Sequence, residues 1–328
     1  MCNALKKLQD ESKLLGRQEG LETGRQEGLE AGRQEGLETG RSEERIKAIV
    51  SMLELGLTKE QITTKYSEDE YEKAEEEYKR AQELLRASQA ADRLYEFIMD
   101  SENIVFFGGA GVSTESGIPD FRSKDGLYNQ HDVEFDKYEP EYLLSAECLH
   151  HKPKVFFEFY RQKMDARGIQ PNITHKVLAE LEKMGKLKAV ITQNIDGLHQ
   201  KAGSQHVLEL HGSVLRNYCE KCGKFYGLET ILHSEGVPRC SCGGTVKPDV
   251  VLYEESLDED VMDRALRYIQ SADLLIIGGT SLVVYPAAGL VRYFRGRHLV
   301  VINKGETGGR VGADLTIDGP IGEVLSQV

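Results

Sequence analysis

Apolar positions along the chain follow two rhythms, one helical and one strand-like. From Glu43 onward Ile46, Ile49, Val50 and Leu53 return at helical spacing, and Gly56 follows where such a helix would stop. Thr58 with Gln61, and Ser67 with Glu70, have the spacing of capping boxes, the second opening an acidic helical run through Glu75, Glu76 and Glu77. A helix from about Ser88 to Met99 leads into Asn103-Ile-Val-Phe-Phe107, a short β-rich run. Comparable runs recur at Ala189–Thr192, Leu274–Ile277 and Leu299–Ile302. Helical patterns separate them, one with Thr174 as its cap and Gly185 at its end. Strands alternating with helices predict an α/β fold, a Rossmann-like and mainly parallel sheet whose ligands bind beyond the carboxyl ends of the strands.

The opening segment follows neither rhythm. Gly16-Arg-Gln-Glu-Gly-Leu-Glu22 recurs from Gly24 and from Gly32, so that seven glycines stand four residues apart between Gly16 and Gly40. Each glycine costs a helix roughly 1 kcal/mol relative to alanine, about 7 in all, while a pair such as Glu22 with Arg25 returns only about 0.2–0.5. Leu21, Leu29 and Leu37 drift around the axis, because eight residues overshoot two turns by about 80°. Residues 1–45 are therefore expected to form a Gly-rich flexible spacer; the alternative is a self-association device in which the glycine ridge lets two helices pack closely. Residues 46–86 read as a helical interaction module and 87–328 as the α/β domain.

Composition narrows the class. The chain has 328 residues, 40% hydrophobic and 29% charged, enough for a real core and long for one compact unit. A net charge of −13 makes nucleic acid an unfavoured partner. No apolar window approaches the roughly 20 residues of a membrane span, and no secretory h-region opens the chain, so a cytoplasmic protein is expected.

Cysteine usage agrees. Cys219-x2-Cys222 and Cys240-x-Cys242 lie seventeen residues apart. In a reducing compartment such pairs read as zinc thiolates rather than disulfides, and four protein ligands leave no open position, so the zinc should be structural. The small zinc-binding part is expected at about 212–250.

Three further motifs carry chemistry. Gly108-Gly-Ala-Gly-Val-Ser-Thr-Glu-Ser-Gly-Ile-Pro-Asp-Phe-Arg122 follows the first strand, and its small residues would let backbone amides approach a diphosphate, with Arg122 nearby. Such glycines also serve ordinary tight turns. Thr192-Gln-Asn-Ile-Asp-Gly-Leu-His199 turns polar where an apolar strand ends. Asn194 and Asp196 could hold a carboxamide and ribose hydroxyls there, though Asn-x-Asp-Gly is also common turn chemistry. His211-Gly212 then stands between that polar strand end and the cysteines, and imidazole is the natural base for a hydroxyl near neutral pH.

Together these motifs, with Lys247-Pro-Asp-Val-Val251, Gly279-Thr-Ser-Leu282 and Ile302-Asn303, resemble the bacterial type of the sirtuin family of NAD-dependent protein lysine deacylases, over about Ser88 to Val328. The resemblance implies NAD and Zn2+ as cofactors and acetylated-lysine proteins or peptides as partners, with no membrane. Ala110, Gly111, Thr114, Phe121, Arg122, Gln193, Ile195 and Asp196 would then contact NAD, and Thr280, Ser281 and Asn303 its adenosine half. His211 would be the catalytic base, with Asn194 and Asp196 holding the nicotinamide ribose and amide. The implied products are nicotinamide, O-acetyl-ADP-ribose and deacetylated lysine. An NAD glycohydrolase or ADP-ribosyltransferase on the same fold is the alternative.

Two departures stand out: Gly108 where many members have threonine, and Cys240-Ser-Cys242, one residue shorter than the usual second pair. Tyr160 and Lys163 lie where members preferring acidic acyl groups carry Tyr-x-x-Arg. Without the bidentate guanidinium, an uncharged acyl group is expected. Val250–Tyr253 and Leu282–Tyr285 are expected to clasp substrate backbone as an added strand. Separately, the glycine repeat followed by Met52–Ile62 resembles tails of bacterial transposase-like nucleases of the PD-(D/E)XK type, which implies an appended module.

Overall fold

The computed structural model describes residues 2–120, 126–127, 135–305 and 312–328, and the side chains of the first helix from Leu21 onward except at 23 and 27. The chain divides into two compact units, Met1–Arg86 and Ala87–Val328.

The first unit holds α1 (Cys2–Glu54), α2 (Lys59–Thr63) and the opening turns of α3 (Glu68–Met99). The glycine repeat is thus helical, where the sequence predicted a spacer. Glu, Gln, Arg and Leu between the glycines are strong helix formers, and no proline interrupts the ladder. The leucine drift does hold: Leu21, Leu29 and Leu37 are 69%, 64% and 54% exposed, and nothing lies within 4 Å of where a Cβ on Gly24, Gly28, Gly32, Gly36 or Gly40 would stand. At the end of α1, Gly56 takes φ +80° and the Leu57 amide reaches back to the Met52 carbonyl at 3.1 Å, a Schellman closure. Both capping boxes form, through Thr58 with Gln61 and Ser67 with Glu70. They fold α2 and α3 back so that Ile49, Ile62, Tyr71 and Ala74 bury together. The helix expected from Ser88 begins at Glu68 instead, because no Gly or Pro lies between.

In the second unit β1 (Ile104–Gly108) is followed by the one-turn α4 (Gly111–Thr114), then α5 (Pro140–Leu143), α6 (Ala146–His151), α7 (Pro153–Lys163) and α8 (Ile173–Lys183). After these come β2 (Leu187–Thr192), α9 (Leu198–Ala202), β3 (Val207–Glu209), β4 (Gly212–Cys219), β5 (Phe225–Gly227), α10 (Leu228–Leu232) and β6 (Val246–Val250). The chain ends with α11 (Glu259–Ser271), β7 (Leu274–Gly278), a 3₁₀ segment Ala287–Tyr293, β8 (His298–Asn303), β9 (Leu315–Asp318) and α12 (Ile321–Leu325).

Six strands pair in parallel in the order β3-β2-β1-β7-β8-β9. Alternate residues feed two cores: Ile104, Phe106, Leu274 and Ile276 face Leu94, Phe97, Leu178 and Ile321, whereas Val105, Phe107, Leu275 and Ile277 face Ile269 and Leu290. With both faces covered, β1 and β7 are buried at every residue. The strand order reverses between β1 and β7, and such a switch point opens a crevice at the carboxyl ends of its two strands.

A three-stranded antiparallel sheet, β5-β4-β6, forms the smaller part. Pro248 sits in β6, an edge strand, where its missing N–H costs no ladder bond. The strands of this sheet fall within the span expected for it, about 212–250. Its core includes Leu143 of α5, Leu149 of α6, and Phe156, Phe157 and Tyr160 of α7, so two separate stretches of chain build it. Thr174 is not a cap either; it is buried in the first turn of α8, and Asn172 holds the N-cap position.

Two buried histidines make this fold acid-sensitive. Burial pushes His175 down to about 4 and His199 to about 3 from an ordinary value near 6.5. Below about 6.5 the unfolded chain takes up protons that the folded one refuses, so stability falls as pH drops toward about 4. We expect the melting temperature to decline over that interval and the decline to flatten in His199→Phe at equal zinc content. Parallel pH profiles of the two proteins would contradict this.

Candidate active site

At the switch point Gly108 and Gly278 stand opposite each other in the β1–β7 register. Beyond them the Gly111 amide donates to the Gly279 carbonyl at 2.8 Å. A Cβ on Gly111 would lie 2.7 Å from the Gly279 Cα, and one on Gly109 would lie 2.8 Å from the Thr280 Cβ, so glycine is required for the turns to meet. Gly108 itself has no room for the side chain usual in the family that the sequence resembles: a Cβ there would lie 2.6 Å from the Phe106 ring.

From β2 the chain delivers Gln193, Asn194 and Asp196. The Gln193 amide donates to the Gly108 carbonyl at 2.9 Å, and its side-chain Oε1 accepts from the Thr280 hydroxyl at 3.0 Å. Ser113 of α4 donates to Asp196 Oδ2 at 2.6 Å while accepting from Asn194 Nδ2 at 3.0 Å. The other Asp196 oxygen takes the Leu198 amide at 2.9 Å, closing the turn into α9 through Gly197 at φ +73°. Asp196 therefore shapes its own loop and also faces the cleft. Burial raises its pKa above the usual carboxylate value, against the two hydrogen bonds that stabilise its charge.

His211 stands between β3 and β4. Its Nδ1 lies 2.9 Å from the Gln193 carbonyl oxygen, and a carbonyl can only accept, so Nδ1 carries the proton and the basic lone pair is on Nε2. Gly212, at φ +77°, lets β4 turn away at once against the backbone of Asp249.

One cleft of about 2280 Å³ gathers these groups. Ala110, Gly111, Thr114, Gln193, Asn194, Ile195, Asp196, His211, Thr280, Ser281 and Asn303 all line it. Phe121 and Arg122 lie outside the described residues. The cleft also takes in Tyr160 and Lys163 of α7, together with Val250–Tyr253 and Tyr285. The amides of Val251, Leu252 and Tyr253 are engaged within the chain, to the His211 carbonyl, the Glu255 carboxylate and the Leu144 carbonyl. The Leu252 and Tyr253 carbonyls are engaged as well, by the Glu255 and Ala146 amides, and the Val250 carbonyl by Lys247 Nζ, so much of this edge is already paired within the chain, a restriction that the residue pattern alone did not reveal. Sequence reasoning also missed Ser113 as the link between Asn194 and Asp196, since two motifs 81 residues apart meet only through the sheet.

NAD fits what the cleft offers. The backbones of Gly111 and Gly279 line it, and the Gln193 Nε2 is buried with no partner among the described residues, a donor suited to a polar ligand. The metal cluster lies apart, on the small sheet. The Sγ atoms of Cys219, Cys222, Cys240 and Cys242 all lie within 4.8 Å of one another, with Cys219–Cys242 at 3.4 Å and Cys222–Cys240 at 3.6 Å. Tetrahedral zinc with bonds of about 2.3 Å sets its sulfurs about 3.8 Å apart, so the shortened Cys240-Ser-Cys242 knuckle still closes the site. The Cys242 amide and the Tyr226 hydroxyl draw the Cys240 thiol down to about 5, toward the thiolate that binds metal.

A model of the Sir2 family matches residues 109–286. An NAD-dependent protein deacetylase of Clostridium perfringens (strain 13 / Type A) is 59% identical over 240 residues, which are 72% of this chain and 97% of that protein. A solved complex of Sir2 with a p53 peptide and NAD+ superposes with TM-score 0.63 at 38% identity, covering 72% of this chain and 95% of the other. A structure of Sir2 bound to acetylated peptide gives TM-score 0.64 at 36% identity, covering 72% and 96%.

Metal analysis of the native protein should find zinc bound to the cluster. Cys222→Ser should release it and unfold the small sheet, because structural zinc binding is itself folding free energy. A protein without zinc, or one whose melting ignores a chelator, would refute this assignment.

Proposed function

The chain belongs to the Sir2 family, and from that membership we propose which of its residues carry the NAD-dependent deacetylation of protein lysine. When bound, NAD would supply a nicotinamide leaving group and a ribose that accepts the acetyl, with one water consumed, giving nicotinamide, O-acetyl-ADP-ribose and free lysine. The turns at Ala110–Gly111 and Gly279–Ser281 hold the diphosphate and adenosine side, with Thr114 and Asn303 beside them. Phe121 and Arg122 complete that side by their place in the glycine-rich motif. Gln193, Asn194, Ile195 and Asp196 hold the nicotinamide and its ribose in one orientation, which lets positioning do much of the work.

The observation that carries the reading is the His211 tautomer. With Nδ1–H held by the Gln193 carbonyl, Nε2 takes a proton from a ribose hydroxyl and so prepares an oxygen to attack the acyl carbon. Gln193 thus serves twice, its side chain lining the cofactor space and its backbone fixing the base.

Tyr160 is fully buried and Lys163 stands one turn further along α7, both at the cleft. An ammonium there, in place of a guanidinium, favours an uncharged acyl group, acetyl first. Among the described residues no helix is long and apolar enough to cross a membrane. A cytoplasmic site, where the four thiols stay reduced, accords with the metal cluster. The first unit is an appended interaction module, self-associating or binding another protein, like the nuclease tails its sequence resembles; its separate core and charged repeat support this.

Incubation with NAD and acetyl-, succinyl- or fatty-acyl-lysine peptides, with both products followed by mass spectrometry, tests the activity. Nicotinamide release that ignores the peptide would instead indicate a glycohydrolase. His211→Ala should lose at least about 10²-fold in deacetylation, the lower end of general-base help, while NAD still binds. Near-native turnover in that variant would remove His211 from its role. A chain begun at Ala87 should stay folded, zinc-loaded and within a few-fold of full kcat/KM, since the residues assigned to NAD, base and zinc all lie beyond that point. A loss above about tenfold, or about 1.4 kcal/mol of transition-state stabilisation, would give the first unit a share in catalysis.

A further inference from the structure

Behind the cleft lies a polar cluster that the chemistry above does not use. Asn172 precedes α8 but does not cap it with its side chain. Its Nδ2 instead donates to the Val112 carbonyl at 2.7 Å and to the Ser116 hydroxyl at 2.9 Å. The carbonyl only accepts, which fixes the nitrogen on that side and the Oδ1 on the other. Oδ1 meets His175 Nδ1 at 3.0 Å, so that nitrogen bears the ring proton and the lone pair falls on Nε2. This Nε2 is buried without a partner among the described residues, as are both ring nitrogens of His199. The two rings sit 4.7 Å apart, tilted by 55°.

The ends of this chain of contacts are informative. Val112 adjoins Ser113, the donor to Asp196 Oδ2. His199 is on α9, whose first amide, at Leu198, is held by Asp196 Oδ1. One end therefore grips the turn that carries Ser113, and the other is a side chain of the helix that follows the Asp196 loop. Burial, by keeping both rings uncharged, suits them to such packing.

We infer that Asn172 is a positioning residue for the reaction: through His175 and His199 it sets the gap between the glycine-rich turn and the Asn194–Asp196 loop, and so the fit of NAD. This rests on the deacetylase reading. Small errors in such a gap weaken ligand alignment strongly.

The test uses the full, zinc-loaded chain and steady-state kinetics in both substrates. Asn172→Ala and Asn172→Asp should raise KM for NAD by about tenfold or more while KM for the acetylated peptide stays within about twofold. His175→Asn, which keeps an N–H near the place of Nδ1, should stay within about threefold of wild type in KM for NAD, and His175→Leu should behave like Asn172→Ala. If Asn172→Ala melts below the assay temperature, Asn172→Ser is read in its place by the same criterion. Lowered melting with KM for NAD unchanged, or equal rises in both constants, would reduce Asn172 to a structural role and overturn the inference. An inactive wild type would overturn the deacetylase reading and this inference with it, whereas an active wild type whose variants share its KM for NAD overturns the inference alone.

Discussion

The site depends on a backbone contact between two glycine turns. Because β1 and β7 pair in register up to Gly108 and Gly278, the two chains leave the sheet together and the Gly111 amide reaches the Gly279 carbonyl. No side chain fits between them. That contact fixes the start of α4, and with it Ser113. Ser113 in turn orients Asp196 and Asn194, and the Gln193 amide ties β2 to the same strand end through the Gly108 carbonyl. One constraint at the switch point thereby places groups drawn from three separated stretches of sequence.

How far this was legible follows from the range of each signal. The central strands were readable because strands buried on both faces are continuous apolar runs, as Leu274–Ile277 is. The glycines and the polar strand end were readable because their composition departs from the strands beside them. The cysteine pairs carried their own spacing. Long-range facts were not readable: that α5–α7 join the small sheet, that β6 takes a proline because it is an edge, and that Ser113 bridges Asn194 and Asp196. Local reasoning also failed at Thr174, where helix-start chemistry pointed to a hydroxyl while tertiary contacts assigned the position to Asn172. It failed again in the glycine repeat, which is helical although nothing lies within 4 Å of where a Cβ on Gly24, Gly28, Gly32, Gly36 or Gly40 would stand.

Both departures from the family pattern have local compensations. At position 108 the Phe106 ring occupies the space a side chain would need, so the glycine leaves no hole there. At the metal cluster the shortened knuckle is closed by backbone bonds: the Cys240 amide donates to the Gly244 carbonyl and the Gly243 amide to the Cys240 carbonyl, each at 2.8 Å. Gly244 has no room for a Cβ, which would lie 2.6 Å from Cys219 Sγ. The turn after the second pair supplies the tightness that an intervening residue would otherwise provide.

Three histidines show how surroundings divide one residue type among roles. His211 is held by a carbonyl on Nδ1 and borders the cleft, so its basic lone pair lies on Nε2. His175 is also held at Nδ1, by the Asn172 Oδ1, but its second nitrogen is sealed from solvent, and burial lowers its affinity for protons. Among the described residues the ring nitrogens of His199 have no hydrogen-bond partner, and burial depresses it more strongly. A base must exchange protons with its substrate, which nitrogens sealed in this way cannot do. The other two are packed ring against ring, with only His175 Nδ1 directed at a polar partner, Asn172. Sequence singled out His211 for its place between two motifs; the division of labour among the three comes from which nitrogen each fold element covers.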